Sequence, residues 1–278
     1  MKRVAHRLVL ALVAACVLVS AASAREATVQ DEQLLEVGFF GATKALLMAP
    51  EQPKALALLF AGGDGDLRLS GSTGLVVLGP LQANFLIRTR RMWFENDIAI
   101  LAIDAPGGRP MTALNRLSAL GQVETLLAAA RKAAPALEGV PVWAVGTSAG
   151  TISVAGLVAS APQLIDGAIF TSSVTRPQGA PGVWSDGHPR GVASMAVGKF
   201  SKPVLVVSHK EDRCPSTPAA DADMLAAAFT ASTRRQAVVV DALSNPNGDP
   251  CGPFSPHGFD EMDREVVNLL VEFVLRAP

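Results

Sequence analysis

Gly146-Thr147-Ser148-Ala149-Gly150 sets a serine between two glycines, directly after the apolar run Val140–Val145 and directly before a helix-compatible stretch, Thr151–Ser160. A serine hydroxyl is a poor nucleophile until a base takes its proton. A strand-to-helix turn at G-x-S-x-G supplies the steric half of the answer. Small flanking residues let backbone close around Ser148, and the turn lifts Oγ clear of the sheet at the start of a helix, where developing negative charge is favoured. The string alone is weak in a chain this rich in Gly and Ser, and a Gly-Ser turn capping an ordinary helix is the plainer alternative. The strand before it and the helix after it single it out.

The base must be a histidine, and beyond the first 24 residues there are three: His188, His209 and His257. His257 stands in Ser255-Pro256-His257-Gly258-Phe259, a loop between the last strand-like run and the last helical stretch, and is the choice. His209 directly follows the run Pro203–Val207 and reads as a structural imidazole beside the acid. His188 lies in a Gly/Pro-rich stretch, as a pocket residue or a solvated one. The acid must hold the imidazole and stabilise its protonated form, and should lie between serine and histidine in chain order. Lys210-Glu211-Asp212-Arg213-Cys214-Pro215 offers Asp212 first and Glu211 as the alternative.

A tetrahedral intermediate needs backbone N–H donors. Ala149, next after the serine, supplies one. The other is expected from Ala61-Gly62-Gly63-Asp64-Gly65-Asp66, with Gly63 first and Asp64 next, because glycine lets backbone turn towards a substrate. This loop is not followed by Gly-Lys-Ser/Thr, so it does not read as a phosphate loop, and it lacks the twelve-residue calcium pattern. Zinc-binding spacings are missing too. No metal and no cofactor is expected.

These residues must be carried by something rigid. Apolar runs alternate with helical stretches, the pattern of a parallel sheet with helices on both faces. Lys54–Phe60, Ile98–Ile103, Val140–Val145, Gly167–Phe170, Pro203–Val207 and Gln236–Val240 read as strands. Pro80–Glu95, Thr112–Ala133, Thr151–Ser160, Ala219–Phe229 and Asp260–Leu275 read as helices. Arg176–Lys202, with Trp184 and His188, is expected to form a short cap over the site or a plain surface loop. No repeat or linker divides the chain, so residues 25–278 read as one α/β domain.

The first 24 residues read as a leader. Lys2, Arg3 and Arg7 precede an apolar run from Leu8 to about Val19, and Ala22-Ser23-Ala24 offers a cleavage site before Arg25. That run is shorter than the ~20 residues a spanning helix needs. A lipid-modified Cys16 after Val13-Ala14-Ala15 is the competing reading. The leader carries three basic and no acidic residues, so its removal leaves 21 Lys+Arg against 25 Asp+Glu, a net charge of −4. That balance points away from nucleic acid and anionic membrane surfaces. It leaves a small-molecule acyl substrate as the expected partner; oligomeric state has no signature in the sequence. Export to a periplasmic or extracellular space also gives the two remaining cysteines, Cys214 and Cys251, a compartment where disulfides persist. Cys214 lies two residues after Asp212 and Cys251 six before His257, so a bridge would staple the acid loop to the histidine loop.

Taken together, FAGGDGDLRL, ANFLIRTRRMWFENDIAILAIDAP, VWAVGTSAGTISVAG, VLVVSHKEDRC and DPCGPFSPHGF make the chain resemble the α/β-hydrolase superfamily, and more narrowly exported bacterial hydrolases of unassigned substrate. The order Ser148, Asp212, His257 is that of the family. The resemblance implies a mostly parallel eight-stranded sheet, a Ser-Asp-His triad, no cofactor, and hydrolysis of an ester or related acyl bond through an acyl-enzyme. Peptide or amide cleavage, acyl transfer, and a non-catalytic binding protein on the same fold are the alternatives. The sequence departs from many lipases and esterases in lacking HGGG at the oxyanion loop.

Overall fold

A computed structural model of the protein describes residues 26–28, 31–38, 43–109, 111–178, 183–242 and 248–276. The leader expected over residues 1–24, with Cys16 inside it, lies outside the described residues, as do residues 179–182 of the expected cap.

The strands in chain order are β1 (Gln33–Val37), β2 (Thr43–Met48), β3 (Ala55–Phe60), β4 (Ser70–Ser72), β5 (Leu75–Val77), β6 (Ile98–Ile103), β7 (Val142–Thr147), β8 (Gly167–Thr171), β9 (Val204–His209) and β10 (Arg235–Val240). Eight form one sheet, ordered β1-β2-β6-β3-β7-β8-β9-β10, while β4 and β5 make a separate hairpin. From β6 to β10 across the sheet every neighbouring pair is parallel; β1 and β2 join antiparallel at one edge. The central strands β3, β6, β7, β8 and β9 are buried at every residue, which is why their sequences are near-continuous apolar runs rather than alternating ones. All six expected strands are present; β1 and β2 are additional to them.

Helices follow as α1 (Phe85–Arg88), α2 (Arg90–Glu95), α3 (Ala113–Ser118), α4 (Val123–Ala133), α5 (Gly150–Ser160), α6 (Val183–Gly187), α7 (Ala222–Ala228) and α8 (Asp263–Leu275). They cover both faces of the sheet. Leu126, Leu157 and Leu225 of α4, α5 and α7 enter one core; Phe85, Trp93 and Leu270 of α1, α2 and α8 enter the other. Among the described residues no helix is long and apolar enough to cross a membrane.

The stretch Pro80–Glu95 is not one helix. A 3-10 turn over Pro80–Ala83 ends at Asn84, whose backbone is extended (φ −55°, ψ 139°). Its Oδ1 accepts the Leu86 N–H at 3.2 Å and so starts α1. Asparagine favours such a bond to nearby backbone over continuing a helix. Within the expected cap, Trp184, Val192, Val197 and Phe200 are buried in the core that α5 and α7 share. Gly191, at φ +51°, lies so close to the Val174 carbonyl that a methyl group on it would sit 2.1 Å from that oxygen. Described parts of the segment therefore pack down on the flank of the domain.

Candidate active site

Ser148 stands in the turn between β7 and α5. Its φ of +52° is in the left-handed region, which a non-glycine residue occupies only when its surroundings hold it there. The holding contacts are visible. Ser148 N–H donates to the Thr171 carbonyl at the end of β8 (3.0 Å), and the Ser148 carbonyl accepts from Thr151 N–H (3.0 Å) and Oγ1 (2.6 Å). The flanking glycines are sterically required. A methyl group on Gly150 would lie 2.0 Å from the Phe60 carbonyl oxygen of β3, and one on Gly146 would lie 2.7 Å from the Gly150 carbonyl oxygen. The serine itself is only half-buried.

Phe60 and Gly146 are paired across β3 and β7, so the loop leaving β3 starts beside the serine turn. Gly62 is the closest approach: a methyl group there would sit 2.9 Å from Ser148 Cβ. The Gly62 and Gly63 carbonyls both accept from Arg116 Nη2, at 3.3 and 2.9 Å, and Met111 N–H donates to the Asp64 carbonyl at 2.7 Å. In a trans peptide the N–H points opposite to the C=O. Arg116 thus turns the Gly63 and Asp64 N–H groups away from itself; Gly63 and Asp64 are exposed, while Arg116 is buried. That burial lowers the guanidinium to about 10, with Asp64 opposing the shift. Further along the loop, the buried Asp104 carboxylate after β6 accepts the N–H groups of Leu67 (2.6 Å), Leu69 (2.9 Å) and Ala105 (2.8 Å). Burial pushes this carboxyl above its ordinary value, and those same N–H groups pull it back down.

On the other side, Asp212 and His257 meet: His257 Nδ1 lies 3.1 Å from Asp212 Oδ2, with both side chains nearly sealed from solvent. A proton shared with Asp212 from Nδ1 leaves Nε2 as the nitrogen with a free lone pair. Thr217, which the sequence did not single out, completes the group. Its Oγ1 donates to Asp212 Oδ2 at 2.9 Å and sits 3.0 Å from His257 Nδ1. Cys214 N–H donates to the second oxygen, Oδ1, at 2.9 Å. Glu211, by contrast, is half-exposed and sits 3.9 Å from Arg213.

The histidine loop is tethered on several sides. Cys214 and Cys251 form a disulfide, with Cα atoms 4.7 Å apart. Ser172, next after β8 and itself at φ +43°, donates from Oγ to the His257 carbonyl at 2.7 Å. Because Thr171 holds Ser148 and Ser172 holds His257, adjacent residues of one strand end carry both. Arg88 of α1 uses every guanidinium nitrogen. It donates to both Asp263 oxygens, to the carbonyls of Pro253 and Gly258 on the histidine loop, and to the Ala83 carbonyl beside Asn84.

The side chains of the other two histidines make no hydrogen bond to this pair among the described residues. His209, at the end of β9, is fully buried, and its Nδ1 accepts the Glu211 N–H at 3.0 Å. His188 stacks near Trp184 with ring centres 5.3 Å apart, and its Nδ1 lies 3.4 Å from the Ser194 carbonyl oxygen.

The sequence matches no known family model and no curated protein. Solved structures do match. An esterase from Pyrococcus furiosus superposes with a TM-score of 0.60 at 11% identity, over 88% of this chain and 92% of that one. A monoglyceride lipase from Saccharomyces cerevisiae gives 0.56 at 11% identity, over 87% and 94%. An acylaminoacyl peptidase from Pyrococcus horikoshii gives 0.61 at 11%, over 88% of this chain but 41% of that one. With eight strands in a mostly parallel sheet, helices on both faces and these likenesses, the chain has the α/β-hydrolase fold.

Proposed function

We propose that the protein is a serine hydrolase acting on a carboxylic ester or related acyl bond, with Ser148 as nucleophile, His257 as base and then acid, and Asp212 as its orienting carboxylate. One observation carries this reading. A serine held at positive φ at a strand-to-helix turn stands one strand end from a buried carboxylate–histidine pair.

Ser148 Oγ attacks the acyl carbon and its proton passes to His257 Nε2. The carbonyl π pair moves onto oxygen, where the N–H groups of Ala149, Gly63 and Asp64 receive it. Collapse expels the alcohol, which takes the proton from His257. Water, deprotonated by the same imidazole, then releases the acid and restores the serine. Asp212 keeps the Nδ1 proton in place throughout. Support for Gly63 and Asp64 as oxyanion donors comes from Arg116, which binds the carbonyl ends of their peptide groups.

The esterase and lipase among the similar structures favour an ester over other acyl bonds. A small or medium acyl substrate suits a chain whose segment over Arg176–Lys202 holds only the short α6 and a 3-10 turn over Gly191–Ser194 among its described residues, with much of the rest packed into the core. We also propose that the protein is exported, as the expected leader and the Cys214–Cys251 bridge both favour.

Labelling with a fluorophosphonate tests the reading, because the probe reports an activated serine without requiring the right acyl group. The expected adduct lies on Ser148 and is lost in His257→Ala. A folded, oxidised protein that takes no label, or takes it on another residue, refutes it.

A further inference from the structure

We propose that the side-chain amide of Asn84 is a third donor to the oxyanion, added to the backbone donors of the serine turn and the Gly62–Asp64 loop. This rests on the reading of Ser148 as nucleophile.

Had Pro80–Glu95 continued as one helix, residue 84 would present its side chain at helical spacing. Instead Asn84 is extended, and Oδ1 is spent on the Leu86 N–H. That bond also fixes which end of the amide is which, since only the oxygen can accept. Nδ2 is thereby directed the other way. A methyl group on Gly62 would sit 3.3 Å from Asn84 Nδ2, 2.9 Å from Ser148 Cβ and 3.1 Å from the Thr147 carbonyl oxygen. One point on the oxyanion loop is therefore walled by the nucleophile on one side and a carboxamide N–H₂ on another.

Nδ2 carries two N–H donors and makes no hydrogen bond with any described residue, although its partner oxygen is engaged. The half-buried amide is held at its oxygen end, which leaves its two N–H groups accessible to a ligand beside Ser148. The nearest charge to form in the reaction is the oxyanion on the carbon bonded to Ser148 Oγ. As that bond forms, the carbonyl pair moves to oxygen and the serine proton moves to His257. Asn84 Nδ2 then donates to the oxygen without itself transferring a proton. Arg88 holds this donor in register with the base, for it binds the Ala83 carbonyl next to Asn84 and the Gly258 carbonyl next to His257.

The test separates the donor from the cap. Asn84→Ser and Asn84→Asp both cap a helix about as well as asparagine, so the melting temperature should hold. Both lack the amide. With p-nitrophenyl butyrate as substrate, Asn84→Ser should lower kcat by about 100-fold with KM unchanged, as expected for loss of one oxyanion donor. Asn84→Asp, which sets a carboxylate against the oxyanion, should fall further. Affinity for an alkyl trifluoromethyl ketone, which forms a tetrahedral adduct on the serine, should drop by the same factor as kcat/KM. A structural role would leave that parallel unmade. Variants that keep kcat and ketone affinity within about threefold of the parent, while Ser148→Ala is inactive, overturn the Asn84 role and leave the hydrolase reading standing. A parent enzyme whose turnover survives Ser148→Ala overturns the hydrolase reading itself, and this inference with it.

Discussion

The two halves of the site are positioned by opposite means. The serine half is made by exclusion: β3, β7 and α5 come so close that only glycine fits at 146 and 150, with Ser148 between them at φ +52°. The acid–histidine half is made by attachment. Asp212 and His257 stand on loops that run past the ends of β9 and β10, outside the strand ladder. They are tied instead by a disulfide, by the Ser172 hydroxyl, by Thr217 and by the five donors of Arg88. A site built by exclusion fails when an atom is added; one built by attachment fails when a link is cut.

The largest effect should come from cutting the covalent link. Cys214 and Cys251 are separated by 37 residues, and closing such a loop is worth about 3–4 kcal/mol in the chain-entropy model. Replacing both by serine should lower the urea midpoint accordingly. More tellingly, activity should be lost at a lower urea concentration than tryptophan fluorescence, since Trp143 on β7 and Trp93 on α2 are buried in the core and stand on neither tethered loop. Coincident loss of both signals would mean that the loops and the domain melt as one unit, with the acid–histidine half no more dependent on its links than the serine half.

The complementary break adds a methyl group. Gly150→Ala places Cβ against the Phe60 carbonyl, backbone against which nothing can rotate away. An overpacked site of this kind costs about 1–3 kcal/mol, and the shift it forces on Ser148 should lower kcat by about 100-fold. Equilibrium unfolding and turnover measured on the same variant check both. Because α5 would have to move off β3, the loss should appear at every urea concentration, with no separate early phase.

These halves differed just as much in how far the sequence disclosed them. The central strands were readable because burial on both faces forces an unbroken apolar run, as in Ile98–Ile103. The serine turn was readable because exclusion leaves glycines at fixed spacing. The cysteines were readable as a staple because each lies within a few residues of the acid or the histidine. Arg88, Arg116, Ser172 and Thr217 were not. Arg88 reaches Asp263 across 175 positions and Ser172 reaches His257 across 85, and no local pattern encodes such a bond. Arg116 sits in a helical stretch where an arginine ordinarily faces water; only the fold turns it under the Gly62–Asp64 loop. The break at Asn84 was hidden because apolar spacing continues across it, and β1 and β2 because they join the sheet antiparallel, outside the strand–helix alternation.

The smallest effect is a pH dependence seated in the attached half. His209 is buried at the base of the acid loop, and burial lowers its pKa below 6.5, against the pull of Asp212, Glu211 and Asp241. Its Nδ1 accepts the Glu211 N–H, so protonation must also break that bond. The sign follows from linkage. As pH falls through about 6.5 the unfolded chain binds this proton first, so the stability His209 contributes is present above that pH and is lost as pH falls towards the lower folded value. His209→Asn, which keeps an oxygen where Nδ1 accepts and cannot titrate, should flatten this part of the profile. Urea midpoints at pH 7.5, 6.5 and 5.5 should decline in the parent and decline less in the variant. Since the bond at risk belongs to the loop that carries Asp212, activity in mild urea should follow the same order. A parent and variant with parallel profiles would place the acid sensitivity elsewhere and leave the acid loop held by its covalent and Thr217 links alone.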